Sequence, residues 1–308
     1  MDESFYSRKV HVLLKDTIFQ PSPPLRHMDE LSSVLGREVN TVLKPVLLLY
    51  TDGRLDHPLT YGSVQAALIA LFWRHNLDYL VAARTVPINS YKNLAERAMS
   101  LLNLALQGVG LMRHPMVDFL ERMVKNTNSM KEIRSAAERT PQLKEALQAS
   151  LQPCMDLLGG LFARLRLHDE PVQYSAAASQ EDMDERWDEV LRIDPNLKVG
   201  KTTASDLKDA DKFHAFLEHC TVRSHYFVSI KKCGKGDCEM CSPPSLSADE
   251  FASLHHFPHP EPDCTKQHYK KYSQVWGTKT TGKFRPSLQK GGLPADQSGP
   301  PPFQVTAE

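Results

Sequence analysis

The sequence predicts an α/β domain followed by an all-helical region and a small cysteine-rich module. Three observations carry this. Short apolar runs alternate with helical periodicity over the first 112 residues. Helical patterns alone fill residues 113–218, and five of the six cysteines fall between Cys220 and Cys264. A polar, Pro- and Gly-rich tail follows at 291–308, with the composition of a disordered segment.

The first elements are read from periodicity. Residues 9–19 (KVHVLLKDTIF) alternate as a strand, and a Pro-rich break leads into a helical pattern over 26–35. The run 44–50 (KPVLLLY) is short, apolar and continuous, as a strand buried on both faces should be, and it stops at Asp52-Gly53. Residues 61–76 read as a helix with Val64, Leu68, Leu71 and Phe72 on one face. Residues 79–86 read as a second strand and 94–111 as a long helix. Strands alternating with helices argue for a parallel sheet. Five further helices are expected, at 116–125, 130–139, 143–167, 180–192 and 203–217, with breaks at Pro141, Pro153, Pro171 and Pro195.

Composition narrows the class. The hydrophobic fraction is 41%, enough for real cores, but no apolar run approaches the ~20 residues of a membrane span. The first ten residues lack the apolar stretch of a secretory signal, so an intracellular, nuclear setting is expected and a membrane partner is not. Formal net charge is zero, yet 221–290 holds eleven Lys or Arg against six Asp or Glu, a local bias that suits an acidic partner such as DNA. Whether the chain is an oligomer is left open.

Two groups of residues could carry chemistry. Asp52 follows a strand tip, and Glu96 lies in the first turn of the helix after the next strand. If the two strands are neighbours, the two carboxylates would share a crevice and could ligate Mg²⁺ or Mn²⁺, with Asp56 and His57 close by. A turn acid and a helix-dipole acid are the plainer readings of the same residues. The second group is Cys220-x₁₂-Cys233-x₄-Cys238-x₂-Cys241, where Gly234 and Gly236 would let the loop turn until its thiolates converge. Clustered thiols in an intracellular chain favour metal over disulfides, and Zn²⁺ takes four N or S ligands in a tetrahedron. Cys233, Cys238 and Cys241 are three of them. The fourth is open among Cys220, His219, His225, Cys264 and His268. Lys231, Lys232 and Lys235 surround the knuckle and could meet a nucleic-acid backbone, or be solvated loop lysines. His255, His256 and His259 form a further histidine group in a Pro-rich setting.

The wording KPVLLLYTDGRLDH, then LDYLVAARTVPINSYKNLAERAMSLLNLALQGVGLMR, resembles the integrase-like DDE domains of multi-copy transposon-derived animal proteins. That resemblance implies a partial RNase H-like core at 1–112 within a mixed sheet flanked by helices, and a zinc-binding module at 219–290. A strand ending in Asp-Gly-Gly-Pro-Asp-His and a helix opening with Asn-Pro-x-Glu-Arg would map onto Asp52, Gly53, Asp56 and His57, and onto Asn93, Glu96 and Arg97. Asp52 and Glu96 would then be the second and third catalytic carboxylates of a polynucleotidyl transferase acting on DNA. This chain departs at Arg54, Leu55 and Leu94. Such a core also begins with a hairpin carrying the first catalytic Asp. Only one strand precedes Asp52 here, Asp2 lies off any strand and Asp16 falls on the third strand rather than the first. The expectation is a truncated or decayed copy with impaired phosphoryl transfer, because positioning and charge neutralisation carry most of that chemistry.

Overall fold

The computed structural model describes residues 9–38, 45–51, 58–84, 94–167, 169–198, 207–224, 227–257, 261–263 and 268–269. In chain order the elements are β1 (His11–Leu14), α1 (Pro24–Glu38), β2 (Val46–Thr51), α2 (Gly62–Arg74), β3 (Tyr79–Arg84), α3 (Leu94–Ala105), α4 (Asp118–Lys125), α5 (Met130–Arg139) and α6 (Pro141–Phe162). There follow β4 (Arg166–Leu167), β5 (Glu170–Pro171), β6 (Gln173–Ala176), α7 (Gln180–Ile193), α8 (Asp211–Cys220), β7 (Thr221–Arg223), β8 (Phe227–Lys231), α9 (Ala248–Ser253), β9 (Pro262–Asp263) and β10 (His268–Tyr269). The architecture is mixed α/β, with a mixed sheet flanked by helices.

The chain divides into two compact units that interleave in sequence: Met1–Val34 with Tyr91–Asp184, and Leu35–Ser90 with Glu185–Glu308. The sequence reading divides it instead into consecutive segments. The difference has a physical cause: β8, from the cysteine-rich region, pairs with β3, from the first α/β segment.

The second unit holds a four-stranded sheet in the order β2-β3-β8-β7. Strands β2 and β3 are parallel, Val46 opposite Tyr79 and Thr51 opposite Arg84, and helix α2 connects them. This is the strand-helix-strand unit expected from periodicity. Strand β8 then runs antiparallel to β3, with Tyr79 opposite Lys231, and β7 antiparallel to β8. Helix α2 is buried on all sides rather than along one face: Val64 through Phe72 are buried without a break, Gln65 included. Gln65 is tolerated there because its side-chain amide donates to the Leu59 carbonyl at 2.9 Å. Helix α8 supplies part of that cover, with the Phe216 ring edge-on to Phe72 and Trp73 at 6.3 and 5.3 Å. Gly62, where α2 begins, packs against Leu207: a Cβ there would lie 2.2 Å from a Leu207 methyl group, which would have to move.

The first unit is mainly helical. Leu120, Ala137 and Leu143 form a buried cluster with Met116, Met123 and Phe19 packed on it. Arg113 grips Glu121 bidentately at 2.7 Å through each nitrogen, and that grip holds the Glu121 carboxyl down at about 2. Three sequence expectations change here. Strand β1 pairs in parallel with β6 of the same unit and is no member of the four-stranded sheet. The helix expected over 143–167 ends at Phe162 and gives way to β4, β5 and β6, which are too short to show alternation. Pro153 lies inside α6 and does not break it.

Candidate metal centre

Helix α8 delivers the first donor. Its N-terminal amides are met by Asp194, a buried residue whose carboxylate accepts from Lys212 N at 2.9 Å and Phe213 N at 3.3 Å. Phe213, Phe216, Leu217 and Cys220 are buried along the helix. That i, i+3, i+4, i+7 stripe is the core face. Cys220 therefore belongs to the core side, and His219, about 100° around the helix, turns outward. Burial, first, and the neighbouring Cys241 push the Cys220 thiol far above its ordinary value.

Strand β8 delivers the rest. Past Lys231 the chain enters the loop carrying Cys233, Cys238 and Cys241. Gly234 takes a left-handed φ of 78°, and a Cβ there would come within 3.0 Å of the Phe251 ring. The ligand atoms of His219, Cys233, Cys238 and Cys241 all lie within 4.8 Å of one another. Cys241 Sγ is 3.4 Å from Cys233 Sγ and 3.6 Å from Cys238 Sγ, and His219 Nε2 is 3.1 Å from Cys238 Sγ. A zinc tetrahedron with Zn–S near ~2.3 Å has edges of roughly 3.7 Å, so the four donors fit it. The cluster can hold a metal ion such as zinc. Cys220 sits beside the group rather than within it, and the helical stripe on α8 is the sequence signal that separates it from His219.

The thiols are prepared for a cation. Backbone N–H groups of Cys233, Lys235 and Met240 each point at a cysteine sulfur at 3.4 Å. The Met240 amide is the main cause that brings the Cys238 thiol down to about 6, whereas burial pushes Cys241 up to about 11. A metal must therefore displace a proton from Cys241.

The lysines around this loop have different fates. Lys232 is buried, and its ammonium meets Asp78 at 2.8 Å, Asn76 Oδ1 at 2.8 Å and the Pro243 carbonyl at 3.0 Å. Lys231 donates to the Leu254 carbonyl at 2.6 Å and lies over the Phe251 ring at 4.4 Å, with burial lowering its pKa. Only Lys235 of the three is exposed. Lys232 therefore has its charge inside the protein and Lys231 is half-buried, while Lys235 faces solvent.

His256 is likewise a packing residue. Its Nδ1 shares a 2.6 Å hydrogen bond with the buried Ser229 hydroxyl, its ring stands edge-on to Tyr79, and burial lowers it to about 4. Between α2 and the knuckle lies a cleft of about 320 Å³ lined by Trp73, Asn76, Cys238, Glu239, Met240 and Ser242 among others.

The carboxylate proposal fares differently. Asp52, Gly53, Asp56, His57 and Asn93 lie outside the described residues, as do His225, His259 and Cys264. Glu96 is in helix α3, but its side chain and that of Arg97 also lie outside the description, as does the His268 side chain. Among the described residues, the His219 group is the one cluster of three or more His, Cys, Asp or Glu donors. No described helix is long and apolar enough to cross a membrane. Comparisons of the chain with protein-family models, with curated proteins and with solved structures found no match.

Proposed function

We propose that this chain is a zinc-dependent, non-catalytic binding or scaffolding protein. One observation carries the reading: three thiols and one imidazole converge within 4.8 Å. Four protein donors close the tetrahedron and leave no position for a reactive water, which is the pattern of structural rather than hydrolytic zinc. The internal use of Lys231 and Lys232 favours a scaffolding role over nucleic-acid binding by the knuckle, because phosphate contacts need free cations. The test is metal analysis of the purified chain beside Cys238→Ser. One zinc per chain, lost in Cys238→Ser, is the expected result; a wild-type chain without zinc sinks the proposal.

A second reading, the transposase ancestry implied by the sequence resemblance, is favoured by the parallel β2-α2-β3 unit. Asp52 follows directly on the C-terminal residue of β2, the end of parallel strands where sites form, and Glu96 lies in the helix after β3. On this reading the chain is an RNase H-like remnant that binds DNA in the nucleus with Mg²⁺ or Mn²⁺ chemistry impaired. Mn²⁺ binding that vanishes in Asp52→Ala would support it, and strand-transfer activity would revive the enzyme. No Asp52-dependent Mn²⁺ binding would mean that the carboxylate centre is dead and would remove any enzyme reading.

A further inference from the structure

The loop that carries the three cysteines is fastened at both ends to one four-residue turn. His75, Asn76, Leu77 and Asp78 join α2 to β3. On the near side of the cysteines, Lys232 pairs with Asp78 at 2.8 Å and donates to Asn76 Oδ1 at 2.8 Å, and its own amide donates to the Asp78 carbonyl at 3.1 Å. On the far side, the Ser242 hydroxyl donates to Asn76 Oδ1 at 2.6 Å. The Asp78 carboxylate there accepts from Ser245 N at 2.8 and 2.9 Å and from Leu246 N at 2.8 Å. Lys232 also holds the Pro243 carbonyl at 3.0 Å, so one ammonium touches the turn and both flanks of the loop.

The turn is itself built for this. Asn76 adopts a left-handed φ of 47°, a conformation Asn tolerates better than most residues, and it aims a carbonyl oxygen at two donors at once. Asp78 has 0% exposure and Lys232 3%. A buried carboxylate survives only when its charge is neutralised and its oxygens are satisfied, and three donors do both.

We infer that Asp78, with Asn76, is the positioning anchor of the metal site: it holds Cys233 and Cys241 in ligating register from a segment more than 150 residues earlier in the chain. The inference rests on the zinc reading above. It makes the site preorganised, so that zinc enters an assembled cage instead of folding a free loop around itself. Groups that orient ligands without touching the metal typically set metal affinity by ~10–100-fold.

The test uses the full chain. Zinc affinity is measured by competition with a chromophoric chelator, and ligand geometry by the visible absorption of the Co²⁺ form. Asp78→Asn is expected to weaken zinc by ~10–100-fold and to alter the Co²⁺ bands. Asn76→Gly, which keeps the left-handed backbone and removes the shared acceptor, is expected to weaken zinc by less. The double variant Asp78→Leu/Lys232→Met separates positioning from stability, because replacing both charges by apolar groups can restore folding. Recovered melting temperature with zinc still weak supports the anchor. Zinc affinity and Co²⁺ spectrum equal to wild type in any folded Asp78 variant overturns it. A wild-type chain that binds neither metal is a different result: the metal reading itself fails, and the anchor falls with it.

Discussion

Among the described residues, two buried cations tie distant parts of the chain together, Lys232 in the second unit and Arg26 in the first, and they are built differently. Lys232 has an anionic partner at 2.8 Å and further acceptors for its remaining N–H groups. Arg26, 2% exposed, donates to the Ala178 carbonyl and sits near Glu30, but its Nε has no hydrogen-bond partner. Glu30 in turn is held by Lys15 at 2.6 Å, so it does not depend on Arg26 alone. The Arg26 network ties α1 to the segment leading into α7, and among the described residues no group able to hold a metal ion lies beside it. The Lys232 network ties a turn to a loop bearing three thiols. Buried charge alone marks a cross-tie; full satisfaction next to ligand chemistry marks a site.

On the zinc reading proposed above, the largest expected effect comes from removing the metal. Stripping zinc with a chelator should expose the β3 and β8 backbone amides to hydrogen exchange, since Lys231 and Lys232 lead straight from β8 into the knuckle. Amides of α5 and α6 in the other unit should keep their protection. Equal loss in both units would break the distinction. Next in size is Lys232→Ala against Arg26→Ala. The first leaves Asp78 buried and unpaired, which costs about 3–5 kcal/mol. The second leaves Glu30 paired with Lys15 and should cost about 1–3 kcal/mol, the desolvation range of an unmet polar group. Denaturant unfolding of each variant gives the order, and a reversed order would show that donor satisfaction is not what separates the two networks.

Much of the fold was legible because it is local. The helix at Met130–Arg139 matches its expected span, and Ser129 caps it by accepting from Glu132 N at 3.2 Å. Strands β2 and β3 form near their expected spans because apolar continuity is a property of their own residues, but β2 is not buried on both faces: Leu48 is 65% and Tyr50 52% exposed. The misses are long-range. Strand β6 (QYSA) has no alternation to see and exists because β1 lies beside it, 162 residues earlier, His11 facing Gln173. Asp78 looks like an ordinary turn acid until its partner at Lys232 is known. Three of the four ligands were legible from cysteine spacing. The fourth was left open among five residues that included both Cys220 and His219, and the α8 stripe, which places Cys220 in the core, separates them. Lys231 and Lys232 read as surface charge because burial depends on neighbours that periodicity does not reveal.

An effect confined to acid pH concerns the strap after α9, which contrasts with the knuckle in using an imidazole to pack rather than to ligate. The Tyr79 hydroxyl donates to the His255 carbonyl at 2.8 Å, and His256 lies against Ser229 on the face of the sheet. Burial, with Lys231 and His255 adding to it, lowers His256 from 6.5 to about 4. Between those values the unfolded chain takes up a proton that the folded chain refuses. Stability therefore falls as pH drops from 6.5 to about 4 and levels off below, by up to about 3 kcal/mol. His256→Gln should flatten that part of the profile while leaving zinc content unchanged, because His256 stands outside the ligand set. A variant profile as steep as wild type would assign the acid sensitivity to the metal site, where falling pH returns protons to the thiolates, and would leave the strap a passive cover.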